Sequence, residues 1–155
     1  RVTERGRVPR FADETGQARS RAYAQTSLAE VLLRAGEVEL AKENCFSALE
    51  VLTELEDRVG MSAAYANLGA AERASGNLDA AEGHYRESLS TLAGVEVPRS
   101  LGMRKMELAS LLSEKGERGA ARAMFEECMA HFRASGAEAM LAQAEEGLRS
   151  VSGPR

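Results

Sequence analysis

One spacing, a step of forty residues, organises this sequence. Three sets of positions hold the same residue type at each step: Leu28, Leu68 and Leu108; Gly36, Gly76 and Gly116; Ala41, Ala81 and Ala121. Nothing is inserted or deleted between Leu28 and Leu148, so each position keeps its counterpart forty residues on. We call such a set of positions a column. A fixed period of this length is typical of stacked repeat units, in which each unit buries its apolar face against its neighbours.

Each unit predicts two helices that are joined at the glycine. We call the helix before the glycine first-type and the helix after it second-type. Leu108, Leu111 and Leu112 fall at helical spacing in the third unit. Leu28 and Val31 do the same in the first unit. The glycine ends the first-type helix because it adopts a left-handed conformation at no steric cost.

The second-type helix carries one apolar stripe. In the first unit this stripe consists of Ala41, Cys45, Ala48, Leu49 and Leu52, at three- and four-residue spacing. The small alanine that begins the stripe lets the two helices of a unit approach closely, and the bulky residue four positions later fills the space beyond it. Stability should therefore come mainly from contacts between neighbouring helices and units.

Composition agrees with an all-α protein. Aromatic residues make up 5% of the chain, Trp is absent and there are three prolines. The residues that favour β-strands are too few for a sandwich or barrel. No apolar run approaches the ~18 residues of a membrane helix, and we expect no membrane contact. The net charge of −4 argues against nucleic acid as the main partner. We therefore predict a right-handed α-solenoid of about seven helices.

The register also predicts the boundaries of the units. The array spans residues 20–151, with units at about 20–58, 59–97 and 98–136, a capping helix at 137–151 and a tail at 152–155. Residues 1–19 are predicted to be an N-terminal arm or the end of a preceding helix. Because the first residue is Arg1 and not Met, we expect a processed chain or a segment of a longer one. No secretory signal is visible, which favours a cytoplasmic location.

The column residues resemble a known repeat family. Tyr65, Leu68-Gly69, Gly76, Ala81 and Tyr85 in the second unit are similar to the tetratricopeptide repeat. The forty-residue step is similar to the longer repeats of bacterial regulators, such as the antibiotic-regulatory and maltose-regulator types, and of kinesin light chain. The resemblance implies a non-enzymatic scaffold that binds proteins or peptides, within a larger bacterial regulator.

Residues that carry catalytic or metal chemistry are few. His84 and His131 stand in different columns of second-type helices. At helical spacing His84 has Glu87 and His131 has Glu127, which is typical of a surface pair and not of a metal site. Cys45 and Cys128 fall in the apolar columns and are expected to be buried. The glycines are spread along the chain, so no phosphate-binding loop is formed. We predict no enzyme activity, no catalytic or metal site and no cofactor.

A peptide-binding groove is the remaining site that the pattern predicts. We expect the first-type helices to line it with the residues that face away from the second-type helices: Tyr23, Thr26, Ser27, Glu30, Ala63, Ala66, Asn67, Ala70, Arg73, Met103, Met106, Glu107 and Ser110. The alanines leave room for a guest and the methionines adapt to its shape. The amide of Asn67 matches an extended peptide backbone, or else it bonds only to water.

The guest that the groove predicts is an extended or helical segment with apolar side chains, from another domain or another protein. Two alternatives remain open. In the first, the chain forms a homo-oligomer through its terminal helices, because an uncapped final helix would expose its apolar stripe. In the second, a basic arm, formed by Arg1, Arg5, Arg7 and Arg10, contacts nucleic acid while the repeats act as a regulatory scaffold.

Overall fold

The protein is an array of antiparallel helices, seen in a computed structural model that describes residues 10–154. Seven helices follow one another in this range: α1 Arg10–Arg34, α2 Val38–Glu54, α3 Arg58–Ala74, α4 Leu78–Thr91, α5 Pro98–Glu114, α6 Arg118–Ser135 and α7 Glu138–Ser152. The described residues contain no strand. The prediction of an all-α right-handed solenoid is confirmed.

Two layers of helices build the array. Every helix packs on the next one in the chain, and the first-type helices α1, α3, α5 and α7 also contact one another in succession. Within the described residues, no two second-type helices have Cα atoms within 8 Å of each other. Because only the first-type helices lie this close to one another, we expect the array to curve with the first-type layer on its inner side.

The column glycines end the first-type helices as predicted. Gly36, Gly76 and Gly116 have φ angles of 82°, 79° and 82°, in the left-handed region. At the first of these turns the amide of Glu37 donates to the carbonyl of Leu32 at 2.9 Å, and the amide of Gly36 donates to that of Leu33 at 3.1 Å. This pair of hydrogen bonds satisfies the last carbonyls of the helix and reverses the chain within three residues.

The core lies between the two layers. The alanine column is fully buried, since Ala41, Ala81 and Ala121 are each 0% exposed. Aromatic rings of the second-type helices fill the space that glycines leave on the first-type helices. The ring of Tyr85 lies against Gly69, and that of Phe132 lies against Gly102.

The N-terminal boundary differs from the prediction. Helix α1 runs without interruption from Arg10 to Arg34, so residues 10–19 belong to the first-type helix of the first unit and not to a preceding helix. No proline interrupts this stretch, and a Cβ added at Gly16 would meet no atom within 4 Å. Arg1, Arg5 and Arg7 of the predicted basic arm lie outside the described residues.

The two ends of the array differ in how their apolar residues are covered. Leu28 and Val31 of α1 are 47% and 57% exposed, because no second-type helix precedes α1 in the described residues. At the other end, Leu141 and Leu148 of α7 pack against the core. Among the described residues of α7 no large hydrophobic side chain is exposed, so the expectation of an exposed apolar stripe on the final helix was wrong.

Candidate functional site

The candidate site is the inner wall formed by α1, α3 and α5. Its predicted residues differ in exposure from helix to helix. On α1, the residues Tyr23, Ser27 and Glu30 are exposed, whereas Thr26 is buried. On α3 and α5 the half-buried residues are Ala63, Ala70, Arg73, Met103, Met106, Glu107 and Ser110, whereas Ala66 and Asn67 are buried. Small side chains and thioethers therefore form the middle of the wall.

Asn67 connects two of the wall helices. Its Nδ2 donates to the backbone carbonyl of Thr26 at 2.9 Å, and the residue is 8% exposed. The hydroxyl of Thr26 in turn donates to the carbonyl of Ala22 at 3.0 Å within α1. The amide donor that the sequence offers to a peptide backbone is thus already used to hold α3 against α1.

Ser110 and Arg73 of the wall also make hydrogen bonds inside the protein. Ser110 Oγ donates to the carbonyl of Met106 at 2.9 Å. Arg73 Nε donates to Glu114 Oε2 at 2.6 Å, so this arginine joins α3 to α5 and does not form a free rim of the groove. Each of these bonds removes a donor that a guest could otherwise use.

Glu107 and Arg104 form an ion pair at the α5 part of the wall. Arg104 Nη1 donates to both carboxylate oxygens of Glu107, at 3.0 and 2.8 Å. Burial raises the pKa of Glu107 above its usual value, and the neighbouring carboxylate of Glu30 acts in the same direction, while Arg104 opposes the shift. Sequence analysis missed Arg104, although its position three residues before Glu107 was a signal for a helical ion pair.

Tyr85 brings a second-type helix into this cluster. Burial raises the pKa of its hydroxyl to about 12, and the charge of Glu107 adds to the shift. At the equivalent positions one unit earlier stand Cys45 in place of Tyr85 and Ala64 in place of Arg104. At these two positions the boundary between the second and third units is therefore polar, while that between the first and second units is apolar. Elsewhere the latter boundary holds an ion pair, in which Lys42 Nζ of α2 lies 2.9 Å from Glu72 Oε1 of α3.

The cysteines and histidines do not form a reactive centre among the residues described. Cys45 and Cys128 are buried free thiols, and burial raises their pKa values to about 12 and about 11. Within residues 10–154, no three His, Cys, Asp or Glu side chains come together as metal ligands would. In the same range no helix combines the length and the apolar character that crossing a membrane requires.

A shallow cavity that the sequence did not predict lies at the connection between α4 and α5. It has a volume of about 340 Å³ and is lined by Val95, Glu96, Val97, Pro98, Leu101 and His131. Burial lowers the pKa of His131, with Lys105 acting in the same direction. Because His131 belongs to a second-type helix, this cavity is separate from the inner wall.

Comparison with known proteins agrees with the fold. Residues 20–93 match a family model described as tetratricopeptide repeat. No curated protein sequence matches the chain. The first unit and most of the second lie in the matched range, and the third unit repeats the same columns.

Solved structures extend the likeness beyond that range. The crystal structure of the apo form of RapI superposes with a TM-score of 0.77 at 16% identity, over 86% of this chain and 37% of that one. BtubC from P. vanneervenii gives a TM-score of 0.62 at 20% identity, over 86% of this chain and 65% of that one. A putative kinesin light chain with TPR-like repeats from Podosopora anserina gives 0.63 at 20% identity, over 86% and 74%. The chain thus spans about a third of RapI and about two-thirds of BtubC, and these likenesses concern the fold alone.

Proposed function

We propose that this chain, a tetratricopeptide-repeat protein, is a non-enzymatic scaffold that binds an amphipathic helix of another protein or domain along its inner wall. Folds of this kind serve in general as protein-interaction scaffolds. The proposed surface is formed by the small and thioether side chains in the middle of the wall, with Ala63, Ala70, Met103 and Met106 as its main contacts. Methionines adapt to guests of different shape, which suits a helix-binding surface.

The observation that carries the proposal is that three donors of the wall, Asn67 Nδ2, Arg73 Nε and Ser110 Oγ, each make a hydrogen bond inside the protein. An extended guest has backbone amides and carbonyls that lose water on binding and need new partners. The Asn67 amide donor is engaged with Thr26, and Arg73 is engaged with Glu114. A helical guest satisfies its own backbone groups and needs only apolar contact from the wall, so the helical guest is favoured over the extended one.

The setting of this interaction belongs to the proposal as well. We place the scaffold in the cytoplasm, as one module of a larger regulator, in line with the forty-residue step. No described residue favours nucleic acid as a partner: the net charge is −4, and the described ion pairs combine arginine or lysine with glutamate or aspartate on the array itself.

A peptide array tests the proposal. It holds amphipathic helix-forming peptides with apolar residues at i, i+3, i+4 and i+7, each beside a counterpart of the same composition in which a central proline breaks the helix. We expect peptides that bind the protein to lose binding to the variants Ala70→Glu and Met106→Glu, and the proline counterparts to fail. The matched control is Ala80→Glu, at an exposed position of α4, which should keep every peptide. Peptides that survive both wall substitutions would place the binding surface elsewhere.

A further inference from the structure

The exposed large hydrophobic residues are confined to one end of the array. Those of the described residues are Tyr23, Leu28, Val31, Leu40, Phe46 and Val59, all within the first unit or at the start of the second. Leu28 and Val31 share one face of α1 with Ala24 and Ala35, which are exposed too, because these four residues follow at steps of four, three and four. We call this stripe the outer face of α1.

On α3 and α5 the two central columns of this stripe, those of Leu28 and Val31, are covered. On α3 the equivalent residues Ala64, Leu68 and Ala71 are at most 1% exposed. On α5 the equivalent residues Leu108 and Leu111 are 0% exposed. Through these columns, α3 and α5 each pack against the preceding unit.

A second-type helix supplies the cover in both cases. Leu68 lies in one apolar cluster with Cys45 and Leu49 of α2, four residues apart. Leu108 lies in one cluster with Tyr85 and Leu89 of α4, which occupy the same two columns one unit later. Leu28 and Val31 are apolar and three residues apart, as are the covered pairs Leu68 and Ala71 of α3 and Leu108 and Leu111 of α5. The centre of the outer face of α1 therefore has the chemistry of an interface between units.

We propose that the outer face of α1 is a docking surface for a second-type helix of a further tetratricopeptide unit, supplied from outside these 155 residues. The occupant is an amphipathic helix that carries bulky apolar residues four positions apart, as Tyr85 and Leu89 do on α4. Nine residues precede α1 in this sequence, fewer than the 14 of the shortest second-type helix, α4, so we look for the occupant outside the 155 residues. A second copy of this chain has no second-type helix to spare, because its α2, α4 and α6 already pack against its own α3, α5 and α7.

A peptide with the sequence of residues 77–93 provides the probe, since this segment contains α4, which covers the equivalent face of α5. Isolated helices of this length are marginal in water, so the peptide is stapled through positions 83 and 87, which are exposed in α4. Fluorescence anisotropy of the labelled peptide, titrated with the full chain, reports binding. We expect saturable binding with one peptide per chain.

Three protein variants and one peptide variant make the test specific. Leu28→Glu and Val31→Glu should each weaken binding at least about tenfold, because a carboxylate would be buried without a partner. Phe46→Glu should leave binding unchanged, although Phe46 is 55% exposed, because its column holds Arg86 and Glu126 in the other units and is a solvent position. A peptide with Leu89→Glu should not bind. Circular dichroism checks that each variant keeps the helical content of the wild type.

Three results would overturn this proposal. The first is the absence of saturable binding, and the second is equal binding by wild type and Leu28→Glu. The third is a dimer in sedimentation velocity that Leu28→Glu converts to monomer, since a second copy would then occupy the face. None of these results bears on the inner wall, where the variants Ala70→Glu and Met106→Glu lie, so failure here is distinguishable from failure of the proposed function.

Discussion

Two glycine-to-alanine substitutions should change stability in opposite directions. Gly69 lies on α3 against the Tyr85 ring, and a Cβ at this position would come within 2.8 Å of Cδ1 and Cε1 of that ring. This is about 0.6 Å short of ordinary van der Waals contact at 3.4 Å. Gly83 on α4 is exposed, and a Cβ there would meet no atom within 4 Å. The repeat pattern alone suggests that alanine fits both positions, because the Gly69 column holds Ala29 and Ala109.

The Tyr85 ring has less room to move than the ring in the same column of the third unit, Phe125. The ring of Phe125, in the Tyr85 column, lies against Gly147 of α7. One unit earlier the column of Gly147 holds Glu107, which adds a side chain there and whose charge raises the pKa of Tyr85. Tyr85 is 3% exposed and is therefore confined to the side of Gly69.

The magnitudes follow from these contacts. Alanine gains about 1 kcal/mol over glycine inside a helix, and this gain is all that Gly83→Ala should show. Overpacking a core costs about 1–3 kcal/mol, so Gly69→Ala should lose about 1 kcal/mol net. The two variants should differ by about 2 kcal/mol in the free energy of unfolding, or by roughly 4–8 °C in Tm for a chain of this length.

Urea unfolding followed by circular dichroism at 25 °C measures the difference. In the background of Tyr85→Leu, which removes the ring, Gly69→Ala should no longer be destabilising, and the double-mutant cycle should show this coupling. If Gly69→Ala stabilised the wild-type protein as much as Gly83→Ala does, the close packing of α3 on α4 would be refuted.

Three further predictions concern a turn, a carboxyl group and the thiols. Glu56 has a φ of 52°, in the column where Gly136 has 67°, so Glu56→Gly should raise the free energy of unfolding by about 0.5–1 kcal/mol, and an unchanged or lower Tm would contradict this. The raised pKa of Glu107 contributes stability that is present below the ordinary glutamate value of 4.5 and is lost as pH rises through the folded pKa. The difference in unfolding free energy between wild type and Glu107→Gln should therefore change in favour of wild type as pH falls through this window in urea titrations, and a constant difference would refute it. Cys45 and Cys128 should not react with a thiol reagent at pH 8 in the native protein and should react fully in urea, whereas fast native labelling would show that they are accessible.

The sequence was sufficient for the architecture, because the features that define it are local and repeat. A glycine that must end a helix, an alanine where two helices cross and an apolar stripe at helical spacing each act within a few residues. Gly36 and Ala41 of the first unit, and their counterparts, could therefore be assigned from the columns alone. The seven helices and the solenoid arrangement followed from the repetition of these features.

The candidate wall could be assigned only in part from the sequence. Periodicity identified the residues that share a face, including Ala63, Ala70 and Met106. It did not reveal that the Asn67 amide is bonded to Thr26, because that bond joins residues 41 positions apart on neighbouring helices. The pairing of Arg73 with Glu114 has the same origin, since helix packing determines which side chains meet across α3 and α5.

Burial at the end of the array was decided by the tertiary structure alone. Leu28 and Leu68 occupy one column and are the same residue, yet they are 47% and 1% exposed. A periodic sequence specifies which face of a helix is apolar, but the burial of that face requires a neighbour, and α2 covers Leu68 while no described helix covers Leu28. Chemistry that depends on one residue and its near neighbours in the chain is thus readable from the sequence, whereas chemistry that depends on which helix lies opposite is settled by packing.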